Sequence, residues 1–296
     1  MKRYILLLLL SFFSLVAPSQ EWMTNLPAAK RIAMVQNKML LMIWEEASMS
    51  PYPVSIYDDK GNKIYVRDLF ENEFVNKLIW EHFVPVVVSE DVYAEWYNEL
   101  KGKRSVLYMQ KFDDDFFKVI DVNGNILNTS EPYYEILNIS EFIARYYLDT
   151  TYLKGELTNY MKQKDVYTTF RLAVKYIDIS IYVNEDVKAE MIKLSNIYLD
   201  EASRFLESQQ IDEKQKLEDK IFLQELKLML VQKRPRRVLR LLKKTPISAE
   251  DTSNSSMLAF LNFTAHLMLK DEASASAWRD QLTTTDIKKA NLLVQQ

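Results

Sequence analysis

The chain has 296 residues, no cysteine and only four glycines, with 38 basic and 41 acidic side chains for a net charge of −3. Average usage would place about twenty glycines in this length, so glycine-rich phosphate cradles are excluded along with all thiol chemistry. At 48% apolar and 27% charged the composition is that of a globular protein, and the length allows one large domain or two of roughly 130 to 150 residues with separate cores.

Lys2 and Arg3 precede an apolar stretch from Tyr4 to Leu10, continued by Phe12, Phe13, Leu15 and Val16 and closed by Ala17, Pro18 and Ser19. This is the charged start, apolar centre and small-residue exit of a secretory signal, too short for a spanning helix of about twenty residues. Residues 1–19 are therefore expected to be a signal peptide cleaved near Ser19. No later apolar run reaches spanning length, so no membrane span is expected after cleavage. Export without cysteine points to a bacterial periplasm, since a chain this long can rely on its core rather than on disulfides. Four Asn-x-Ser/Thr sequences, at Asn128, Asn138, Asn254 and Asn262, would be glycosylation acceptors only in a eukaryotic host.

Helical spacing over 27–37 leads into a continuous apolar strand, Met39 to Trp44, of the kind buried on both faces. Val54–Tyr57 and Lys63–Val66 alternate around Asp59, Lys60, Gly61 and Asn62, which predicts a hairpin with Gly61 at positive φ. A helix over 68–80, a strand Phe83–Val88, a helix over 91–100 and a hairpin about Val122, Asn123 and Gly124 come next. Strands separated by helices give an α/β domain, residues 20–139. From residue 140 the period changes to 3.6, with apolar stripes at 166–182, 187–206, 217–231, 235–243, 257–269 and 273–282. Residues 140–296 are thus expected to be an all-α domain of helical hairpins, with a faint 39-residue echo between Leu228-Met229-Leu230 and Leu267-Met268-Leu269 that suggests a tetratricopeptide-like stack. Charge divides too: residues 1–150 carry 15 basic and 21 acidic groups, residues 151–296 carry 23 and 20.

The lead helix, the strand Met39-Leu40-Leu41-Met42-Ile43-Trp44, the helix-strand unit ending in His82-Phe83-Val84-Pro85-Val86 and the terminal Phe116 to Gly124 segment resemble the thioredoxin-like domains of exported bacterial proteins. The resemblance implies that the loop after Trp44 holds the active site, and the nearest equivalent of its Cys-x-x-Cys is Ser50-Pro51-Tyr52-Pro53. It also implies a proline facing that loop before the penultimate strand, where this chain has Asp115, or the run Asp113 to Asp115. Disulfide exchange needs a thiolate, so a thioredoxin-like domain here is redox-inactive.

Other chemistry finds thin support. His82 and His266 are 184 positions apart and read as structural. Asp121, Asn123 and Asn125 miss a calcium-loop pattern, with glycine at the fourth position rather than the sixth. Glu45 and Glu46, at the end of the first strand, together with Asp113 to Asp115 form either a solvated acidic rim or a carboxylate cluster for a cation or a basic peptide. Lys233, Arg234, Arg236, Arg237 and Arg240, continued by Lys243 and Lys244, place seven cations in twelve residues, a basic face or an ordinary solvated one. The expected function is that of an exported, non-catalytic adaptor that binds a protein partner in the cell envelope, uses no cofactor and does not bind nucleic acid. The candidate contact residues are Glu45, Glu46, Ser50, Pro51, Tyr52, Pro53 and Asp115. Alternatives are a chaperone-like peptide binder and a carboxylate-based metal-binding protein or enzyme.

Overall fold

A computed structural model describes residues 21–130, 134–208, 210–211, 213–245, 247 and 252–296; the expected signal segment, 1–19, lies outside the described residues. The chain forms two units that divide at Thr150/Thr151, the first mixed α/β and the second helical.

In the first unit, helix α1 (Leu26–Gln36) starts where the Asn25 side chain accepts the Ala28 N–H at 2.9 Å, and it ends at Asn37 in the left-handed region, φ 55°. Its small buried face, Ala29 and Ala33, packs on the strands β1 (Met39–Trp44) and β4 (Phe83–Val88). All six residues of β1 are buried, as its unbroken apolar sequence requires. β1 is the central strand, parallel to β4 and antiparallel to β5 (Lys118–Ile120). Single bridges extend the sheet at both sides, Met23 beside Val86 and Ile126 beside Ile120. The turn between Ile120 and Ile126 is shaped by Asp121, whose carboxylate accepts the Asn123 and Asn125 N–H groups, with Gly124 at φ +92° against Trp96.

A short helix α2 (Glu45–Ser48) follows β1, and then the hairpin β2 (Val54–Tyr57) and β3 (Lys63–Val66) folds as its alternation predicts, with Gly61 at φ +80°. A second small sheet runs β3-β2-β6, where β6 (Leu137–Asn138) is parallel to β2. The helix expected from residue 68 begins later, as α3 (Glu73–His82). Asp68 instead closes a turn by accepting the Phe70 and Tyr52 N–H groups, and Asn72 takes over as N-cap. A 3₁₀ turn at Glu90–Val92 leads into α4 (Tyr93–Leu100), and α5 (Val106–Asp113) comes after it, a helix absent from the sequence expectation.

Helix α6 (Ile139–Tyr146), expected to open the helical domain, packs on β2 and α3 and so belongs to the first unit. Asn138, its N-cap, is part of β6, and Tyr57 of β2 donates to Glu141 at 2.6 Å. These ties move the boundary from 139/140 to 150/151.

The second unit contains α7 (Lys154–Lys162), α8 (Val166–Ile179), α9 (Glu185–Ser208), α10 (Lys214–Val231), α11 (Pro235–Lys244), α12 (Thr252–Met268), α13 (Glu272–Ser276) and α14 (Thr284–Gln295). Successive helices pack on each other from α7 to α13, with α14 on α12. Capping boxes start α8 at Asp165/Thr168 and α14 at Thr283/Asp286. With glycine scarce, helix ends use other residues in the left-handed region: Lys233 at φ 59° after α10 and Lys270 at φ 61° after α12. Pro235 then starts α11 at once. The core stacks Tyr176 flat on Tyr198, with centroids 5.1 Å apart.

Three of the four Asn-x-Ser/Thr asparagines, Asn128, Asn138 and Asn254, are buried. Asn128 accepts from Val119 N–H and donates to Phe117 O, so as an acceptor it is closed by the fold.

Candidate functional site

The C-terminal end of β1 is filled rather than open. Trp44 donates its indole N–H to Phe112 O at 2.8 Å, and Phe112, Tyr93 and Trp96 stand edge-on around its ring. Lys118 reaches the same place from β5, where it pairs with Met42. It has no exposed surface, and its ammonium donates to Asp114 Oδ1 at 2.9 Å, Phe116 O at 2.9 Å and the Asp114 carbonyl. Three acceptors use all three ammonium protons. The other Asp114 oxygen meets Lys111 at 3.3 Å. Burial lowers the Lys118 pKa to about 8, against the pull of Asp114 in the opposite direction. Next to it Tyr93 donates to Asp113 at 2.5 Å; burial, then this bond, raises the phenol to about 12. The 113–117 segment is thus locked by side chains from α4, α5 and β5.

The carboxylates of the expected cluster do not gather. Asp113 is engaged by Tyr93 and Asp114 by two lysines, Asp115 is exposed, and the nearby Glu90 carboxylate accepts the Glu46 N–H at 2.9 Å at the start of α2. Glu46 is exposed and Glu45 half-buried. Among the described residues no three His, Asp or Glu side chains are placed to hold a metal ion. His82 Nδ1 lies 2.9 Å from Leu78 O, and His266 Nδ1 lies 3.1 Å from Asp271.

Within the loop after α2, Ser50, Pro51 and Pro53 are exposed and Tyr52 is half-buried. The Tyr52 ring packs on Phe117 at 4.7 Å and Phe70 at 6.3 Å, and Trp22 covers both of those rings. Leu69 N–H donates to Tyr52 O at 2.9 Å. Tyr52 therefore ties this loop through aromatic rings to Phe117, the residue preceding β5, which lies just beyond the run Asp113 to Asp115. Pro51 lines an open groove of about 630 Å³ together with Ile64 to Val66 of β3, Arg67, Asp68 and Glu71. β3 is an edge strand, and its Ile64 and Tyr65 side chains are 43% and 67% exposed.

In the second unit the predicted basic residues separate. Lys233 donates its ammonium to Leu293 O of α14 and is spent on the fold. Arg236, Arg237, Arg240, Lys243 and Lys244 line α11, with Arg234 at its N-cap, outside its one buried residue, Val238, which faces the bundle.

Two groups lie beyond the reach of sequence. Lys118 is legible only as a lysine inside the apolar run Phe116 to Ile120. Asp178 of α8 is buried between Lys227 of α10 and Lys289 of α14, with Tyr152 donating to it at 3.2 Å. Burial alone would raise the Asp178 carboxyl, but the two lysines outweigh it and hold it below its ordinary value. No family model matches this chain, nor does any curated protein or solved structure.

Proposed function

We propose that this chain is an exported, non-catalytic adaptor whose first unit is thioredoxin-like and redox-inactive, and that this unit binds an extended segment of a protein partner in the cell envelope. Support for the thioredoxin-like reading comes from the buried central strand, its parallel and antiparallel neighbours, and a terminal hairpin beside the loop after β1. Support for the loss of reaction comes from the filled end of β1, where Phe112 and Lys118 pack against Trp44, the residue that precedes loop 45–53, and from the lack of any thiol in the chain.

The observation that carries the binding function is the free edge of β3. Its outer side has no strand partner among the described residues, and it borders the Pro51 groove with two exposed apolar side chains. An edge of this kind adds a strand from another chain, backbone hydrogen bonds giving affinity and the groove giving choice of side chains. Affinity capture from cell-envelope extract tests this: wild-type protein is expected to retain a partner that Ile64→Lys with Tyr65→Lys loses while keeping the same circular dichroism. Equal capture by both proteins, or turnover of a small molecule by the purified chain, overturns it. A chaperone-like role shares this surface, and suppression of client aggregation without one stoichiometric partner would favour it.

A further inference from the structure

Helix α11 carries five cations, Arg236, Arg237, Arg240, Lys243 and Lys244, and its N-cap residue Arg234 adds a sixth, none of them in an ion pair with a carboxylate among the described residues. Elsewhere in the same unit cations do find carboxylates, as in Lys164–Glu201 at 2.7 Å and the buried Lys227–Asp178 pair. The first turn of α11 holds no acidic residue, so Arg236 and Arg237 sit at the positive end of their own helix dipole, and Arg236 has the like charge of Arg240 one turn on, an arrangement that a bound anion relieves. Beside this row lies a groove of about 530 Å³, lined by Leu239 and Leu242 of α11, Leu258 and His266 of α12, and Trp278, with Lys243 common to groove and row. Trp278, Leu239, Leu242 and Leu258 are all half-buried, so apolar surface remains to be covered.

We propose that α11 and this groove form a docking site for an acidic, amphipathic segment of a partner protein, whose carboxylates meet the cations and whose apolar side chains enter the groove. Charge complementarity selects an acidic occupant, and the concave apolar channel selects a chain with side-chain anchors over a flat bilayer. A membrane-surface helix would need its apolar face outward, whereas Val238 is buried and Leu239, Leu241 and Leu242 are half-buried. This site lies in the second unit and does not depend on the β3 edge.

The test uses the full chain and a fluorescein-labelled peptide of about fifteen residues, built of glutamate with leucine at helical spacing, read by anisotropy. Wild type is expected to bind it, with affinity falling as salt screens the cations. Arg236→Glu with Arg240→Glu, and separately Trp278→Ala, are each expected to weaken binding at least about tenfold with unchanged circular dichroism. Ile64→Lys with Tyr65→Lys is expected to leave it unchanged, which separates this proposal from the edge-strand reading. Equal binding of a glutamine-for-glutamate peptide, or indifference to both α11 and groove variants, overturns the proposal. Tighter retention on phosphatidylglycerol vesicles than on the peptide, lost with Arg236→Glu and Arg240→Glu, overturns it in favour of a lipid surface.

Discussion

A lysine with no exposed surface costs several kcal/mol to desolvate, and Lys118 recovers part of that through Asp114 and two carbonyls. The remainder shows as a pKa of about 8 in place of 10.5. Between those values the unfolded chain holds a proton that the folded one has released, so the stability due to this group rises with pH across that window. Lys118→Met removes the titration while filling the space. The stability of wild type minus that of Lys118→Met is therefore expected to grow by about 3 kcal/mol between pH 8 and 10.5. Urea unfolding followed by tryptophan fluorescence measures it, since Trp22, Trp44, Trp80 and Trp96 all belong to the first unit. A difference that stays flat across the window would show that Lys118 is solvated in solution.

Among the elements, α8, α10 and α14 are joined at one point, Asp178, where one buried carboxylate serves two lysines. Removing it leaves Lys227 buried without its counter-ion, so Asp178→Ala is expected to cost about 3 to 5 kcal/mol. Asp178→Leu combined with Lys227→Met is expected to cost less than Asp178→Ala alone, because no buried charge is left unpaired; thermal melts at 222 nm compare the two. A join of this kind cannot be read from sequence, where Asp178 and Lys227 stand 49 positions apart. The information that sequence does carry is local: β1, β4 and the β2–β3 hairpin lie where their patterns put them, because continuous or alternating apolar runs bounded by turn residues leave little choice. Helices α5, α7 and α14 give no such pattern. α7 buries Leu157 and Tyr160 and α14 buries Ala290 and Leu293, too few for a stripe, while α5 exposes Val106 and Leu107 and buries Lys111. Helix ends at Lys233 and Lys270 are equally silent, since lysine in the left-handed region carries no sequence signal. At the candidate site, the loop 50–53 and the cationic helix are legible as segments. The Tyr52–Phe117 contact and the Lys118 plug depend on tertiary neighbours and are not.

For the molecule as a whole, the change of period at residue 140 and the division at Thr150/Thr151 differ by one element, α6. Its helical pattern is continuous with the later helices, while its packing on β2 and α3 places it with the strands. Period reports how a segment folds, whereas packing decides which core it joins. Each unit has its own set of buried apolar residues, centred on β1 and β4 in the first and on Tyr176, Tyr198 and Leu226 in the second. At about 130 residues or more such a unit buries roughly two thirds of the surface its unfolded chain would expose, enough for a stable core. Residues 21–150 and 151–296, produced separately, are therefore each expected to unfold cooperatively in urea, with far-ultraviolet spectra that add to that of the whole chain. The cut at 139/140 tests the placement of α6 in the same experiment. Residues 21–139 lose Phe142, Ile143 and Tyr146, three buried side chains of α6, of which Phe142 packs against Phe83 and Phe117. That fragment is expected to unfold at lower urea than 21–150, by several kcal/mol of stability. Equal midpoints for the two would return α6 to the helical unit.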